Sequence, residues 1–438
     1  MPASLPAPVP DTPNYHKWTD ADVGAEYIEF PEDTVFMESA AMNAAYKPGV
    51  AYIPCQRVLP TDDGDTVLES FVYSIDPANS KEATLVIGPL ANPYGDKDVT
   101  IFGSALTSTG LLILCCFNRN SLLVYDLETV EQGDGMTPVS CELEIPDLPS
   151  PNDVCVDPKD ETLLYVAGGS FRACVPLCCC VTFTNSAYGK VFSAKMDYEN
   201  KVATVDEVAA GFDVLAGIEV VDNKLWVAQL YDVFTLNQDK SGVNGGQRTA
   251  WLGHDTQGST WMADNVDVFD DDKILFPAYS TVPQSTAENV MTRNFLVSAF
   301  LFYTQISTAW IRGEKLSEAL LDPEVSLAFS NTYIDKDTPP QPVRIAIMDK
   351  DGSADKAYHF EIDLEQTRQN HAPREIKSQD GSKVLGKRHH FNEQVTHTGH
   401  LKTTDVEGNE VGYLLCINFE QPRVLLLKDD KFRKAMMG

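Results

Sequence analysis

Short apolar runs return along this chain at near-regular intervals, and that recurrence restricts its fold more than any other feature. Gly49-Val50-Ala51-Tyr52-Ile53 and Gly110-Leu111-Leu112-Ile113-Leu114 are two of them, followed by Leu163-Leu164-Tyr165-Val166. Ala216 to Val221 returns through Leu225-Trp226-Val227-Ala228, and Asp264-Asn265-Val266-Asp267-Val268 returns through Ile274-Leu275-Phe276. The last unit is Gly412 to Ile417. Apart from one long final gap the runs stand roughly 50–60 residues apart, the period of stacked blades of about four strands each. Six such units predict an all-β chain, a six-bladed β-propeller.

The clearest unit is LPSPNDVCVDPKDETLLYVAGG, Leu148 to Gly169. Val154-Cys155-Val156 and Leu163 to Val166 flank a polar turn at Asp157-Pro158-Lys159-Asp160, the signal of a strand, a turn and a returning strand. Asn152 and Asp153 stand at the mouth of the first strand, where they serve either as an Asx cap or as oxygen ligands on a rigid scaffold.

A closed β-array can use all 438 residues as one domain, and 43% hydrophobic content supplies its core. With 64 acidic against 34 basic side chains, the formal charge of −30 leaves no basic stripe for nucleic acid and disfavours an anionic membrane surface. The acids are spread along the chain, as solubility alone demands. The first residues, MPASLPAPVPDTPNYHKW, lack a basic start followed by an apolar core, so the chain as given reads as cytoplasmic, or as secreted if a signal was removed. Cys178-Cys179-Cys180 cannot readily all turn to one tetrahedral ion, and no paired CxxC accompanies them. Cys55 and Cys416 belong to the first and last units, which a ring brings side by side; a closing disulfide is an alternative in an oxidising compartment.

In order along the chain, residues 1–30 read as a Pro- and Ala-rich arm, lying on the surface or completing the last blade, and residues 31–438 as the propeller. Glu38 stands in an apolar context, where a carboxylate must be exposed at a strand end, paired or coordinating a cation. Residues 285–322 break the strand pattern and read as a helical insertion over the ring, too short in its apolar stretch to span a membrane. His371, His389, His390, His397 and His400 fall in a polar segment without an HExxH helix. Of these, His397 and His400 are the candidates to reach the central cavity as acid–base groups.

Glu38, Asn152-Asp153 and Asp264-Asn265, each set at the start of an apolar strand, resemble the polar positions of six-bladed propellers of the gluconolactonase, senescence-marker protein and paraoxonase superfamily, to which strictosidine synthase-like proteins are related. The resemblance covers roughly residues 30–430 as scattered short motifs. It implies one Ca2+ in the central tunnel, held by Glu38, Asn152, Asp264 and, as in the paraoxonase branch, Asn265. It also implies lactonase or arylesterase hydrolysis in which the ion polarises a substrate oxygen, with Glu38 and Asp264 in the catalytic group. Two positions depart: Ala216-Gly217 replaces an Asn-Gly pair, and Ser39 stands where a second, structural calcium would have an acidic partner. Phe102 and Phe117 occupy the neighbourhood of the paraoxonase histidines.

The strictosidine synthase-like side of the resemblance implies a second class, a metal-independent cyclase or condensing enzyme of secondary metabolism. There Phe102, Phe117, Trp261 and Tyr279 would hold a small apolar or lactone-like substrate by shape. A non-catalytic binding propeller is the third class. A monomer or small homo-oligomer suits all three.

Overall fold

A computed structural model describes residues 14–60, 66–91, 99–117, 119–130, 141–145, 151–168, 189–212, 215–229, 232–237, 247–250, 259–263, 265–270, 272–283, 342–350, 357–364, 375–377, 384–387, 395–405, 407–418 and 422–437. The candidate insertion at 285–322, the cysteine cluster, Asp264 and His371, His389 and His390 lie outside them. Among the described residues there are six antiparallel-based sheets of four to six strands and one two-stranded hairpin, Glu375–Lys377 with Val384–Lys387. No described helix is long and apolar enough to cross a membrane.

Sheet I holds Thr34–Met37, Ala41–Met42, Ala51–Pro60, Thr66–Ile75 and Thr84–Ile87. Sheet II runs Ile101–Leu106, Leu111–Cys116, Ser121–Asp126, Cys141–Glu144, and sheet III runs Pro151–Val156, Leu163–Gly168, Gly189–Asp197, Val202–Phe212. Sheet IV is Leu215–Val221, Lys224–Gln229, Asp232–Asn237 and Gln247–Ala250. Sheet V pairs both Ser259–Ala263 and Asp267–Phe269 with Lys273–Pro283, and continues through Val343–Asp349 and Tyr358–Asp363. Sheet VI is Val395–Thr404, Glu410–Asn418 and Arg423–Lys428. Neighbouring sheets meet at the centre through Ala41–Met42, Ile101–Leu106, Pro151–Val156, Leu215–Val221, Asp267–Phe269 and Val395–Thr404, their innermost strands.

Six apolar clusters fill the spaces between these sheets, one for each neighbouring pair. Leu112, Leu114 and Tyr125 of sheet II pack on Tyr52 and Val72 of sheet I, while Ile113, Leu122 and Val124 face Val154 and Val166 of sheet III. The III–IV, IV–V and V–VI spaces are filled in the same way. The sixth cluster joins the last sheet to the first: Leu415, Ile417 and Leu426 against Ile53, Tyr73 and Ile75. Every sheet is thus buried on both faces, which is why Leu111 to Cys116 reads as a continuous apolar run and does not alternate.

The N-terminal segment takes part in this closure. Glu26–Glu29 adds antiparallel to Arg423–Leu426 as the outer strand of sheet VI, and Ile28 enters the VI–I cluster fully buried. Tyr15–Thr19 pairs parallel with His359–Asp363 at the edge of sheet V. Residues 14–29 therefore bind the two ends of the chain together. No disulfide joins Cys55 to Cys416, and both are buried. They lie in different clusters, Cys55 in the VI–I space and Cys416 in the V–VI space, so sheet VI itself stands between the two thiols.

Two stability predictions follow from these positions. Ile28→Ala should lower the unfolding free energy by about 2–5 kcal/mol in chemical denaturation, whereas Leu85→Ala, at an exposed site, should stay within about 0.5 kcal/mol. Burial holds the His359 imidazole down at about 4. The unfolded chain binds that proton near 6.5, so stability is lost as pH falls from about 6.5 towards 4, by on the order of 3 kcal/mol for this group. His359→Phe should flatten that part of the Tm–pH curve; an unchanged acid slope would discount the assignment.

Candidate functional site

The six innermost strands share one irregularity at one level. Between Met37↔Cys55 and Ala41↔Tyr52, three residues of the inner chain oppose two of its partner. Phe102 and Gly103 oppose Cys115 alone between the pairs Ile101↔Cys116 and Ser104↔Leu114. Asn152, Ala216 and Thr396 are each extra residues between successive ladder pairs. In sheet V the pairs Ala263↔Ala278 and Asp267↔Leu275 again enclose three residues against two. Each sheet therefore carries one surplus residue here, a β-bulge that bends the strand and re-aims its side chains. Glu38, Asn152 and Asn265, singled out from sequence, all sit on this ring of bulges, as do Phe102 and Ala216.

Close approach of the bulges restricts side-chain size. A Cβ on Gly103 would stand 2.5 Å from the Asn152 carbonyl oxygen, and one on Gly217 would stand 2.5 Å from the Asn265 Cα. Glycine admits the neighbouring backbone at both places. Polar side chains join the sheets where they meet. Ser39 Oγ lies 2.9 Å from Ser104 Oγ, linking sheets I and II. Asn152 Nδ2 donates to the Leu215 carbonyl at 3.1 Å, and the Ile218 N–H donates to Asp153 Oδ2 at 2.9 Å, linking III and IV. Asn265 Nδ2 donates to the carbonyls of Thr396, at 3.0 Å, and Glu38, at 3.3 Å, so one amide ties sheets V, VI and I.

These contacts bear on the oxygen donors. Asn152 is 4% exposed and its Oδ1 has no hydrogen-bond partner among the described residues, an acceptor left over once the amide nitrogen is engaged. Glu38 is also buried, and the carboxylates of Asp153 and Glu38 add to burial in raising the thiol of Cys115. Buried carboxylate and amide oxygens from different sheets are the donor chemistry that suits a hard cation such as calcium. Ala216 contributes no donor. Phe102 stacks on Phe117 with ring centroids 4.1 Å apart, both half-buried. Trp261 and Tyr279 belong to paired strands of sheet V.

Next to the bulges, a cavity of about 370 Å³ is lined by the inner strands of all six sheets. Its walls include Ala41, Ala105, Leu106 and Val154, and its polar lining includes Asp153, Glu219, Asp267, His397, His400 and Lys402. Asp153, Glu219 and Asp267 repeat one local arrangement: each carboxylate accepts the N–H of the following valine, at 2.9, 2.7 and 2.6 Å. Burial pushes the Asp267 carboxyl up to about 7. Burial and then the nearby Asp267 carboxylate raise Glu219 well above the usual range. His397 Nε2 stands 3.8 Å from Asp267 Oδ2, but burial lowers the imidazole to about 4. Between about 4 and 7 both groups are therefore neutral, and the contact is not an ion pair.

The two histidines differ. The Asp270 N–H donates to His400 Nδ1 at 3.3 Å, so Nε2 carries the proton and donates to Asp429 Oδ2 at 2.9 Å. Arg433, on the C-terminal helix Asp430–Met437, donates to the same Asp429 through Nε at 2.8 Å and also pairs with Asp270. His400 is thus a fastener for that helix. His397 has no hydrogen-bond partner on either nitrogen among the described residues. Glu219 and Asp267 were not singled out from sequence; the available signal was a carboxylate interrupting a run that is otherwise apolar on both faces, Ile218-Glu219-Val220 and Val266-Asp267-Val268.

No protein-family model matches the chain, and no curated protein does. Among solved structures the chain is similar to Kuenenia stuttgartiensis hydrazine synthase, with a TM-score of 0.41 and 10% identity over 88% of this chain and 77% of that one. A likeness at that level bears on neither activity nor ligand.

The inter-sheet amides carry a prediction of their own. Asn265→Ala removes the donor shared by two buried carbonyls and should cost about 1–3 kcal/mol in urea denaturation. Asn152→Ala, which frees one carbonyl, should cost less.

Proposed function

We propose that the chain is a six-bladed β-propeller whose central channel houses a calcium-assisted hydrolase of a lactone or ester. The observation that carries this reading is the ring of bulges, which presents Glu38, Asn152 and Asn265 from three different sheets at one level. The six inter-sheet clusters, the last of them joining sheet VI to sheet I, support the blade count.

Glu38 and Asn152 Oδ1 are the described donors that would hold calcium, with Asn265 beside them. Asp264 belongs to the proposed set from sequence. Bound there, calcium would supply polarisation of the substrate's carbonyl oxygen. The chain's own residues do the rest. Asn265 fixes the register of three sheets at the ring, so the donors are held without movement of the backbone. His397 is the group placed to move a proton: it takes one from a water whose oxygen adds to the carbonyl carbon. It then returns that proton to the leaving alkoxide as the carbon–oxygen bond breaks, yielding acid and alcohol. The Phe102–Phe117 pair offers an apolar surface at the ring level.

The metal-independent cyclase or condensing reading is favoured by one feature, Ala216, which removes a ligand atom from the ring. Elemental analysis of purified protein and assays with phenyl acetate and a panel of γ- and δ-lactones separate the two. The hydrolase reading expects one calcium per chain, activity lost on chelation and restored by calcium, and kcat/KM lowered at least about 100-fold in Glu38→Gln. Activity that survives chelation, or an unimpaired Glu38→Gln, would remove calcium from the mechanism.

A further inference from the structure

The acidic half of the channel asks for a ligand of its own. Among the residues that line the cavity, Lys402 is the basic side chain, and its ammonium already stands 3.0 Å from Asp270 Oδ1. Glu161, at the rim, is engaged by the Ser108 N–H and hydroxyl at 2.8 and 2.7 Å. Deeper in, Glu219 and Asp267 each direct one oxygen to a backbone N–H and have no Lys or Arg within ion-pair distance among the described residues. Two carboxyl groups facing a shared space without a counter-charge are costly to bury.

His397 is the second, independent observation. It is 6% exposed, lines the cavity, and makes no hydrogen bond through either ring nitrogen among the described residues. Its Nε2 is 3.8 Å from Asp267 Oδ2, too far for a hydrogen bond and suited to a donor standing between them. Buried polar groups left in this state are commonly completed by a bound species.

We propose that this cavity binds a small molecule with a protonated amine, its ammonium held by Glu219, Asp267 and His397 and its apolar part lying on Ala41, Ala105, Leu106 and Val154. An ammonium offers three N–H donors and no acceptor, which matches two carboxylate oxygens and one imidazole nitrogen. A bare metal ion suits the space less well. Among the described residues no three His, Cys, Asp or Glu side chains form a metal-holding group, and 370 Å³ with apolar walls is the size of a small-molecule site. Anions are repelled by the same carboxylates. The inference shares His397 with the hydrolytic reading but is read by binding alone, so either can fail without the other.

The test uses the full chain in EDTA at pH 8 and constant ionic strength, with n-butylammonium chloride and two comparators that carry the same butyl chain, neutral 1-pentanol and anionic pentanoate. Calorimetry and thermal shift should show saturable binding of butylammonium at least tenfold tighter than that of 1-pentanol, and none of pentanoate. Glu219→Gln and Asp267→Asn should each weaken butylammonium at least tenfold. The three-probe comparison on the unaltered protein decides even if one variant fails to fold. Equal binding of 1-pentanol, no saturable binding of butylammonium, or unchanged affinity in both folded variants would overturn the proposal. So would a Tm rise produced by zinc or calcium alone that excludes butylammonium, since the cavity would then be a metal site.

Discussion

Burial of both faces of every sheet is the constraint on which the rest of this molecule depends. A sheet in isolation can leave one face to solvent, but here each packs on two neighbours, and the series of contacts ends where it began, between sheet VI and sheet I. The final contact has to be made by parts of the chain almost 400 residues apart, and the loop-closure entropy of joining them grows only slowly with that separation. Glu26–Glu29 completes the arrangement, because an N-terminal strand hydrogen-bonded to Arg423–Leu426 makes the last sheet from both ends of the chain. The buried Arg57–Asp33 pair, with Nε–Oδ1 at 2.7 Å and Nη2–Oδ2 at 2.8 Å, lies close by and is completed by the Tyr73 hydroxyl at 2.9 Å. A charge pair so deeply buried contributes geometry more reliably than net stability.

Convergence of six innermost strands creates the opposite problem at the centre. Neighbouring backbones pass so closely at Gly103 and Gly217 that neither position has room for a Cβ. The ladder cannot remain regular while the strands turn past one another, and each sheet relieves this with one surplus residue. Backbone groups freed by the bulges require partners. Asn152 and Asn265 provide them, each amide nitrogen donating to a carbonyl of a neighbouring sheet.

Most of the architecture was legible because double-sided burial writes itself into the sequence as uninterrupted apolar runs. Leu163 to Val166 and Leu111 to Leu114 are second strands of their sheets, and the polar turn at Asp157 to Asp160 joins Pro151–Val156 to Leu163–Gly168 as expected. The bulge-borne Glu38, Asn152 and Asn265 were legible as polar residues at strand starts. What escaped was anything set by contacts distant in sequence. His397 and His400 are three residues apart on one strand, and nothing local distinguishes the histidine fastened by Asp429 from the one without a hydrogen bond. Glu219 and Asp267 read as interruptions of apolar strands until the structure brought them to one cavity. Cys55 and Cys416, unbridged on either side of sheet VI, show the same limit, since adjacency of two sheets does not say which face each cysteine takes.

Charge connects the centre to the whole chain. A formal net charge of −30 spread along the chain, together with carboxyl groups lining a cavity walled by low-dielectric sheets, gives that cavity a negative potential that grows as Asp267 ionises above about 7. A neutral lactone or ester is indifferent to that field on arrival, an ammonium is drawn in, and an anion is turned away. Under the proposed hydrolysis, a neutral ester would become a carboxylate near Asp153, Glu219 and Asp267. The same field that leaves such a substrate undisturbed would then expel the acid formed from it, so the proposed hydrolysis would gain from an acidic channel through faster release of an anionic product.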